Sequence, residues 1–254
     1  MTSNTGLLVL VVGATGSVGV HVVAELLAKG HRVRALVRSP GRARFPAGVD
    51  LVAGNLTQPS TLPPAVAGVD AVVFVHGSTG GEAGSRDTFY AGVRDVLAAL
   101  AGRPVRIALM TAIAVTDRGR AHDWKRRAER LVRASGCPYV IVRPGWFDMN
   151  RPGQRRLTPL QGDRHRSGTP ADGVVARDQI AALLVAGLDN GGPPGRTFEL
   201  VAEQGTAPDL AVLLASIPPD RLGEMDGVGD EPNMPADAEP PAVLADLRLR
   251  SPPY

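Results

Sequence analysis

Short runs of aliphatic residues alternate along the chain with segments whose apolar residues recur at helical spacing. The aliphatic runs predict strands at Leu7–Val12, Val33–Val37, within Asp50–Leu56, and at Ala71–Val75, Val105–Met110 and Tyr139–Val142. The helical spacing predicts intervening helices at Val22–Leu27, Pro59–Ala67, Tyr90–Leu100 and Asp123–Ala134. Because continuous aliphatic strands joined through helices form right-handed βαβ units, the alternation predicts an α/β fold with a doubly wound parallel sheet.

The pattern becomes less regular after Pro144. The second half of the chain is predicted to contain a loop at Arg151–Pro170, a helix at Ala176–Leu188 and a strand near Thr197–Val201. Beyond Glu224 the many Gly, Pro, Asp and Glu residues predict an extended cap or a loose tail. We therefore predict one domain over residues 1–254, with its core at 6–145 and a small irregular C-terminal portion at 146–254 that helps to build the substrate pocket.

A glycine-rich turn, Gly13-Ala14-Thr15-Gly16-Ser17-Val18-Gly19, lies between the first predicted strand and the first predicted helix. Gly13 permits a tight turn, Gly16 leaves room for a pyrophosphate, and Gly19 lets the helix pack closely on the strand. Free amides and the positive dipole end of the helix attract an anion, so Thr15, Ser17 and Val18 belong to the same expected cofactor site. In this position the motif predicts a Rossmann-type dinucleotide-binding fold.

The end of the second predicted strand indicates which dinucleotide is bound. An NAD site usually presents an acidic residue there for the ribose 2′-hydroxyl, but this chain reads Val37-Arg38-Ser39, with Arg42 close behind. A guanidinium pairs with a 2′-phosphate and stacks on adenine, so Arg38, Ser39 and Arg42 predict NADP(H) as the cofactor. The alternative is that Arg38 is a solvated charge at the end of the strand.

Composition narrows the functional classes. No run approaches the roughly 18 apolar residues of a membrane helix, and the first residues lack a basic segment, so we expect a cytoplasmic protein without a membrane partner. A net charge of +3, scattered arginines and 4% aromatic residues predict no nucleic-acid binding. Cys137 is the only cysteine, which excludes an internal disulfide and a zinc–thiolate site, and we expect no metal.

Several further segments accompany the glycine-rich turn: Val37–Pro40, Gly54–Leu56, Asp70–Phe74, Lys125–Glu129 and Ser135–Gly145. Together they resemble the atypical short-chain dehydrogenase/reductases, and in particular the NmrA-like NAD(P)-binding proteins, over most of the chain to about residue 202. The resemblance implies that Asn55 and Leu56 lie against the adenine and that His76 and Gly77 border the ribose and pyrophosphate. Asn55 replaces the usual Asp, but its amide oxygen can still accept from the adenine amino group. His76 can alternatively be a loop histidine without a chemical task.

The chain departs from the family at the catalytic end. Short-chain reductases use a tyrosine four residues before a lysine, and a serine on the fifth strand; here Lys125 and Thr111 match, but Ala121 replaces the tyrosine. Lys125 can contact the cofactor ribose, or can itself act as acid or base, since burial lowers the pKa of an ammonium group. His122, on the same helical face, is another proton donor. The competing interpretation of Lys125 is an i,i+4 ion pair with Glu129.

The segment after the sixth predicted strand enters the pocket by the same analogy. Pro144 cannot continue the strand ladder and should turn the chain away beside the cofactor. Trp146 and Phe147 either form an apolar wall beside the nicotinamide or fill the core. An arginine cluster either attracts an acidic substrate or forms a solvated loop; its members are Arg151, Arg155, Arg156, Arg164 and Arg166.

Together these features predict an NADPH-dependent reductase that transfers hydride to a small-molecule carbonyl, quinone or conjugated double bond. In that function Thr111 orients the acceptor oxygen, and Lys125 supplies the proton or fixes the ribose. The missing tyrosine keeps two alternatives open. One is an NADP(H)-binding redox sensor that acts on a protein partner, and the other is a non-redox isomerase, cyclase or epimerase that retains its cofactor. A homodimer is compatible with each function.

Overall fold

The computed structural model describes residues 6–78, 81–189 and 195–249. The strands are β1 (Leu8–Val12), β2 (Arg32–Val37), β3 (Val49–Ala53), β4 (Ala71–Phe74), β5 (Arg106–Met110), β6 (Tyr139–Pro144), β7 (Trp146–Phe147), β8 (Arg156–Leu160), β9 (Val174–Val175) and β10 (Arg196–Glu203). The α-helices are α1 (Gly19–Ala28), α2 (Pro63–Val66), α3 (Gly81–Ser85), α4 (Gly92–Ala99), α5 (Arg120–Ala134), α6 (Arg177–Asp189), α7 (Leu210–Ser216) and α8 (Pro241–Arg248). A π-helical segment, Arg86–Ala91, joins α3 to α4, and 3₁₀ turns lie at Pro40–Arg42, Pro59–Thr61, Pro170–Asp172 and Ala236–Ala238.

The main sheet has the strand order β3-β2-β1-β4-β5-β6-β10-β8. All neighbouring strands are parallel except β10 and β8, which are antiparallel. The chain reverses its direction of travel across the sheet between β3 and β4, so the ends of β1 and β4 form the crevice where such sheets bind ligands. The predicted α/β fold with a Rossmann-type sheet is confirmed.

Side chains of β1 alternate between two apolar layers, one on each face of the sheet. Val9 and Val11 pack in the layer that contains buried residues of α1 and α6, whereas Leu10 and Val12 pack in the layer that contains those of α4 and α5. A strand that is covered on both faces needs apolar residues at every position, which explains the continuous aliphatic runs.

The sheet continues beyond the predicted core boundary at residue 145. β10 pairs with β6, and β8 pairs with β10 at the edge. The prediction of a structureless loop over Arg151–Pro170 is therefore wrong, because it contains β8. Pro159 lies inside this strand and reads as a strand breaker, but an edge strand tolerates a residue that cannot donate a ladder hydrogen bond.

The helix predicted at Tyr90–Leu100 is longer than its apolar pattern indicated. It begins at Gly81 as α3, passes through the π-helical segment and ends with α4. The helix predicted at Pro59–Ala67 is a 3₁₀ turn followed by the single helical turn α2. The π-helical segment shifts the helical register, and this shift hides the first half of the longer helix from a search for 3.6-residue periodicity.

The described residues after Glu224, 225–249, form a cap, and the alternative prediction of a loose tail is wrong for them; residues 250–254 lie outside the described chain. Their acidic residues bind arginines of α5 and β6 instead of solvating the segment. We call this group the ionic cluster; it consists of Arg126, Arg130, Arg133 and Arg143 with Glu129, Glu199, Asp220, Asp226, Asp230 and Glu239. Within the part of the chain that is described, these pairs join the C-terminal segment to the sheet.

Candidate cofactor and substrate site

The glycine-rich turn leaves no room for side chains at two of its glycines. Gly13 has φ +94°, and a Cβ there would lie 2.6 Å from the Cα of His76 at the end of β4. A Cβ on Gly19 would lie 2.1 Å from the carbonyl oxygen of Gly13. The close approach of turn, helix and neighbouring strand therefore requires glycine at both positions. At Gly16 the nearest atom to a Cβ is the Gly13 oxygen at 3.1 Å.

The turn presents unpaired backbone donors. The N–H groups of Ser17, Val18 and Gly19 donate to no other residue that the structure describes, and α1 has no side-chain cap. Val18 has a buried side chain, so only its backbone can face a ligand, whereas Thr15 and Ser17 are exposed. Unpaired amides at a helix N-terminus attract phosphate. The turn thus has the donors and the space that a pyrophosphate requires.

A cavity of ≈ 460 Å³, which we call the cofactor groove, runs from this turn across the ends of the strands. It is lined by Gly13, Thr15, Gly16, Arg38, Gly54, Asn55, Leu56, His76, Gly77, Ser78 and Thr88, among others. Arg38 is exposed at its rim and forms no ion pair with the described residues. Ser39 and Arg42 are also exposed but lie outside the lining, in and beside the 3₁₀ turn that follows β2.

Asn55 and Leu56 lie together at the β2–β3 end of the groove. The side-chain oxygen of Asn55 accepts from the Thr57 N–H at 3.1 Å, and the Asn55 N–H donates to Thr61 Oγ1 at 3.0 Å. Leu56 packs close to Gly92 of α4. The two residues therefore form a fixed corner of the groove, where an adenine ring would lie by the family resemblance.

His76 is held by the π-helical segment. Its Nε2 lies 2.9 Å from the Thr88 carbonyl oxygen, which requires a proton on Nε2, and its buried Nδ1 has no hydrogen-bond partner in the described structure. Burial lowers the pKa of His76 to about 4, against the opposing effect of the Thr88 carbonyl. The imidazole is thus neutral near pH 7 and is not a proton donor there.

A second cavity, of ≈ 480 Å³, shares the His76–Ser78 segment with the cofactor groove. We call it the lysine cavity; it is lined by Phe89, Met110, Thr111, Ala112, Ile113, Ala114, His122, Lys125, Pro144, Gly145, Trp146, Phe147, Gly168 and Asp172, besides the shared segment. The structure thus brings the sequence-predicted residues Thr111, His122 and Lys125 into one cavity. Its walls are mainly apolar.

Trp146 and Phe147 form β7, which pairs with β9 and lies at the mouth of the lysine cavity. Trp146 is 38% exposed, so it does not fill the core. Pro144 differs from its predicted role as the point where the chain leaves the sheet, because it pairs with Leu200 and its carbonyl accepts from the Ile113 N–H. The chain turns after it, at Gly145, whose N–H still donates to Leu200.

Lys125 has an unusual environment for a lysine. Its Nζ lies 5.0 Å from the centroid of the Phe89 ring and forms no ion pair or hydrogen bond with any described residue. Burial lowers the pKa of Lys125, and the Glu129 carboxylate one turn further along α5 opposes the shift only in part. The alternative of an ion pair with Glu129 is not what the structure shows, because that carboxylate binds Arg143 and Arg133.

Thr111 faces Glu129 at the end of β5. Its Oγ1 donates to Glu129 Oε1 at 2.7 Å, in a buried hydrogen bond. Burial would raise the pKa of Glu129, but Arg143 outweighs it and keeps the carboxylate ionised. Since an ionised carboxylate only accepts, the hydroxyl proton of Thr111 is engaged. Thr111 can accept a hydrogen bond from a ligand in this arrangement, but it has no proton to offer.

No phenol of the described residues replaces the missing tyrosine. Ala121 is exposed, Tyr90 donates its hydroxyl to Asp246, and Tyr139 donates its hydroxyl to Asp220. Burial and these carboxylates raise the pKa of both tyrosines. His122 lines the lysine cavity, with its Nδ1 3.3 Å from the Asp117 carbonyl oxygen. Lys125 and His122 are therefore the groups in this cavity that can deliver a proton.

Three of the five arginines in the predicted cluster after β7 form ion pairs with neighbouring carboxylates. Arg155 pairs with Asp178 at 2.7 Å, Arg156 with Glu203 at 2.8 Å, and Arg166 with Glu231 at 2.6 Å. These pairs are largely exposed and their charges are compensated locally.

Several lining residues escaped the sequence analysis. Phe89 enters the lysine cavity from the π-helical segment, which periodicity does not reveal. Met110 and Ile113 flank Thr111, and the rule that ligands lie at strand ends would have found them. Asp172 arrives from a distant loop, where its carboxylate accepts from the N–H groups of Ser167 and Gly168.

Fold and groove together define a dinucleotide-binding protein of the Rossmann type. The chain belongs to the NAD(P)H-binding family, whose model matches residues 13–191. The expected resemblance is confirmed at this level, and the cofactor is a nicotinamide dinucleotide.

The names of individual relatives refer to several different activities. The uncharacterized sugar epimerase YhfK of Bacillus subtilis is 27% identical over 223 residues, covering 81% of this chain and 98% of its own length. The (4-alkanoyl-5-oxo-2,5-dihydrofuran-3-yl)methyl phosphate reductase of Streptomyces griseus is 34% identical over 203 residues, or 75% of this chain and 66% of its own. A Bacillus halodurans structure, provisionally assigned as an NAD-dependent epimerase/dehydratase, has a TM-score of 0.70 at 26% identity and covers 84% of this chain and 100% of its own.

Two features are absent from the residues that the structure describes. None of their helices has the length and apolar character of a bilayer-spanning segment. No group of three or more of their His, Cys, Asp and Glu side chains is arranged to hold a metal ion.

Proposed function

We propose that this protein is an NADPH-dependent reductase of small apolar molecules that carry a carbonyl, quinone or conjugated double bond. The observation that carries the proposal is the meeting of two cavities at the His76–Ser78 segment. One cavity is lined by Gly13, Thr15 and Gly16 of the glycine-rich turn, which also carries the unpaired amides, and the other contains Lys125 between apolar walls. A dinucleotide with its phosphates at the turn would reach the lysine cavity with its nicotinamide end.

The proposed specificity for the phosphorylated cofactor depends on Arg38. Its exposed guanidinium lies at the rim of the groove, forms no ion pair with the described residues and has no acidic neighbour at the end of β2. A free guanidinium can bind a 2′-phosphate through two parallel hydrogen bonds. A carboxylate at this place would instead repel the phosphate.

NADPH, when bound, supplies a hydride to the acceptor carbon. The chain must then provide one proton, which the acceptor oxygen of a carbonyl takes up. Lys125 is the proposed donor, because its amine lines the lysine cavity without a partner in the described chain and burial lowers its pKa. His122 lines the same cavity and is the second candidate for this proton. Thr111 holds the end of β5 through Glu129 and can accept from a ligand hydroxyl.

The walls of the lysine cavity support an apolar acceptor. Phe89, Met110 and Ile113 line the cavity, and Trp146 and Phe147 add aromatic surface. Closure of such walls around a ligand excludes water from the hydride path. The Streptomyces griseus relative is named for the reduction of an unsaturated lactone, which supports the conjugated class of acceptor.

The experiment is a turnover assay with NADPH and a panel of quinones, enones and ketones, followed through loss of nicotinamide absorbance. We expect turnover with at least one class, and we expect Lys125→Met to lower kcat by about 10²–10⁴, the usual contribution of a positioned proton donor. Lys29→Met is the matched control, because Lys29 lies on the surface beside Asp189. Unchanged kcat in Lys125→Met would remove the lysine from the chemistry, and no turnover at all would contradict the reductase.

A second experiment tests the cofactor. Calorimetric titration of Arg38→Gln should show NADPH affinity reduced about tenfold or more, as for loss of a charge-assisted contact, with NADH affinity unchanged. Arg44→Gln is the control, since Arg44 hydrogen-bonds carbonyls of its own turn and does not line the groove. Equal losses for NADPH and NADH in Arg38→Gln would contradict the assignment.

An NADP(H)-responsive sensor is the second candidate. The observation that favours it is the lack of a tyrosine hydroxyl near Lys125, since Tyr90 and Tyr139 both bind carboxylates elsewhere in the described chain. A sensor would distinguish NADPH from NADP⁺ in affinity without consuming either. Turnover with any acceptor at a rate typical of enzymes would contradict it.

A non-redox isomerase, cyclase or epimerase is the third candidate. The names of the Bacillus subtilis and Bacillus halodurans relatives favour it. It predicts product formation with no net change in nicotinamide absorbance, and net consumption of NADPH in step with product would contradict it.

A further inference from the structure

The amine of Lys125 differs from an ordinary lysine amine in having no anionic partner among the residues that the structure describes. Glu129, one turn along the helix, is bonded to Thr111, Arg143 and Arg133, and Asp123, two residues before Lys125, is paired with Arg118. What faces Nζ is the Phe89 ring, 5.0 Å from its centroid. A cation–π contact at this distance favours the ammonium form less than a carboxylate would.

The lysine cavity around this amine is shaped for an apolar guest. The carboxylate in its lining, Asp172, accepts from the backbone N–H groups of Ser167, Gly168 and Thr169, so its charge is already compensated. The rest of the lining is largely aromatic and aliphatic. Lys125 and His122 are therefore the side chains that can exchange a proton with a molecule bound in the cavity. Desolvation in such a cavity favours the neutral amine, which is the nucleophilic form.

We propose that Lys125 is a carbonyl-reactive amine, which forms an imine with small apolar aldehydes that enter the lysine cavity. The Nζ lone pair attacks the carbonyl carbon, and the carbonyl oxygen takes up a proton to give a carbinolamine. Loss of this hydroxyl as water, with the second amine proton, leaves a C=N bond. One aldehyde and one amine thus give one imine and one water, with no oxidant or reductant. His122 lies in the same cavity and can relay these protons. The proposal does not depend on reductase activity.

The chain contains its own reference for this reaction. Lys29 and Lys125 are its only lysines. Lys29 lies at the surface, 3.4 Å from Asp189, where water and the carboxylate both stabilise its charged form. Any labelling that reflects general amine reactivity must therefore appear at Lys29 as well.

The test is incubation of the full chain with benzaldehyde and cyanoborohydride, which reduces the imine to a stable benzylamine, followed by peptide mass spectrometry. At pH 7 we expect benzylation of Lys125 to exceed that of Lys29 on the order of tenfold, because a desolvated amine is less protonated than an ion-paired one. We also expect this preference for Lys125 to become smaller as the pH is raised to about 9.

Two variants keep the proposal falsifiable. Lys125→Arg retains the positive charge and cannot form an imine. Benzylation of this variant should therefore fall to the amount found at Lys29 in the wild-type chain. Lys29→Arg should retain the full label at Lys125. Equal benzylation of Lys29 and Lys125 in the folded wild-type chain at pH 7, or labelling confined to Lys29, would overturn the proposal.

Discussion

The cofactor groove and the ionic cluster are built on opposite principles. The groove is formed by backbone atoms, glycines and strand ends, and the same glycine-rich turn carries the amides of Ser17, Val18 and Gly19, which the described chain leaves unpaired. The ionic cluster is formed by long charged side chains whose groups are paired several times over. Arg143 alone donates to Glu129, Glu199 and Asp230 while only 1% exposed.

The difference shows whether each region contributes mainly to the free energy of ligand binding or to that of folding. Unpaired donors must stay hydrated until a ligand arrives, so they contribute to binding and little to folding. Buried charges must be paired as soon as the chain folds, because an ion left alone in the interior costs several kcal/mol. Substitutions in the groove should therefore change ligand affinity more than stability, and substitutions in the cluster should do the reverse.

The largest effect is expected for Arg143→Met. This change leaves Glu129 and Asp230 buried with fewer cations, and we expect a loss of about 3–5 kcal/mol in the free energy of unfolding. Denaturant titration measures it. Arg156→Met is the control, because the exposed Arg156–Glu203 pair should contribute no more than about 1 kcal/mol. Equal losses in the two variants would contradict the view that burial makes the cluster essential.

Gly19→Ala tests the groove with the next largest effect. Its Cβ would lie 2.1 Å from the Gly13 carbonyl oxygen, so the turn must shift, at a cost of up to about 3 kcal/mol. Because the shift moves the amides, NADPH affinity should fall as well. Gly41→Ala is the control, since a Cβ there meets nothing within 4 Å. Full NADPH affinity in Gly19→Ala would show that the turn does not hold the phosphates.

Because of the ionic cluster, the free energy of unfolding should decrease at acidic pH. Burial alone would raise the pKa of Asp226, but hydrogen bonds from Arg130 and Arg126 outweigh it and hold the pKa at about 2. The folded-state pKa lies below the unfolded value of 3.8, so the contribution is present above pH 4 and is lost as the pH falls through about 2. We expect about 2 kcal/mol of stability to disappear in that window.

Asp226→Asn is the comparison for this acid transition. The variant should be less stable at pH 7 and should show a shallower loss of stability between about pH 4 and pH 2, because it has no carboxylate to protonate there. Parallel curves for variant and wild type in chemical denaturation would mean that Asp226 does not carry the transition.

The smallest effect concerns the hydrogen bond from Thr111, in the lysine cavity beside the groove, to Glu129 of the ionic cluster. Thr111→Val removes the donor to Glu129 Oε1, which keeps its bond from Arg143, and we expect a loss of about 1–2 kcal/mol in the free energy of unfolding. Because the Thr111 proton is engaged by Glu129, kcat should fall less than tenfold. Loss of one transition-state donor costs about 10²–10³ in kcat, so a fall of that size would restore Thr111 as the group that orients the acceptor oxygen.

The sequence was informative where structure depends on neighbours along the chain. Strands with continuous aliphatic residues, such as β1 and β4, can only be buried on both faces, and the glycine-rich turn between strand and helix has one common use. Arg38 was found at the groove by its offset from this turn. These features need no knowledge of distant partners.

The rest depends on contacts that the sequence does not display. Arg130 binds Asp226 across 96 residues. The acidic residues of the last segment suggested a solvated tail, because the sequence does not show that arginines far away in the chain bind them. The environment of Lys125 depends on Phe89, which reaches the cavity from a π-helical segment. The engagement of Thr111 with Glu129 depends on which way one hydroxyl turns.

The ionic cluster also constrains how the polypeptide is made. Asp226, Asp230 and Glu239 are synthesised after every strand of the sheet, so a nascent chain that has completed β10 still has the guanidinium groups of α5 without most of their counter-ions. During synthesis on the ribosome, the dinucleotide-binding half can therefore fold early. The helix α5, however, is shielded from water only after the final segment has been made. A fragment ending shortly after β10 would be a poor substitute for the complete polypeptide in any expression trial.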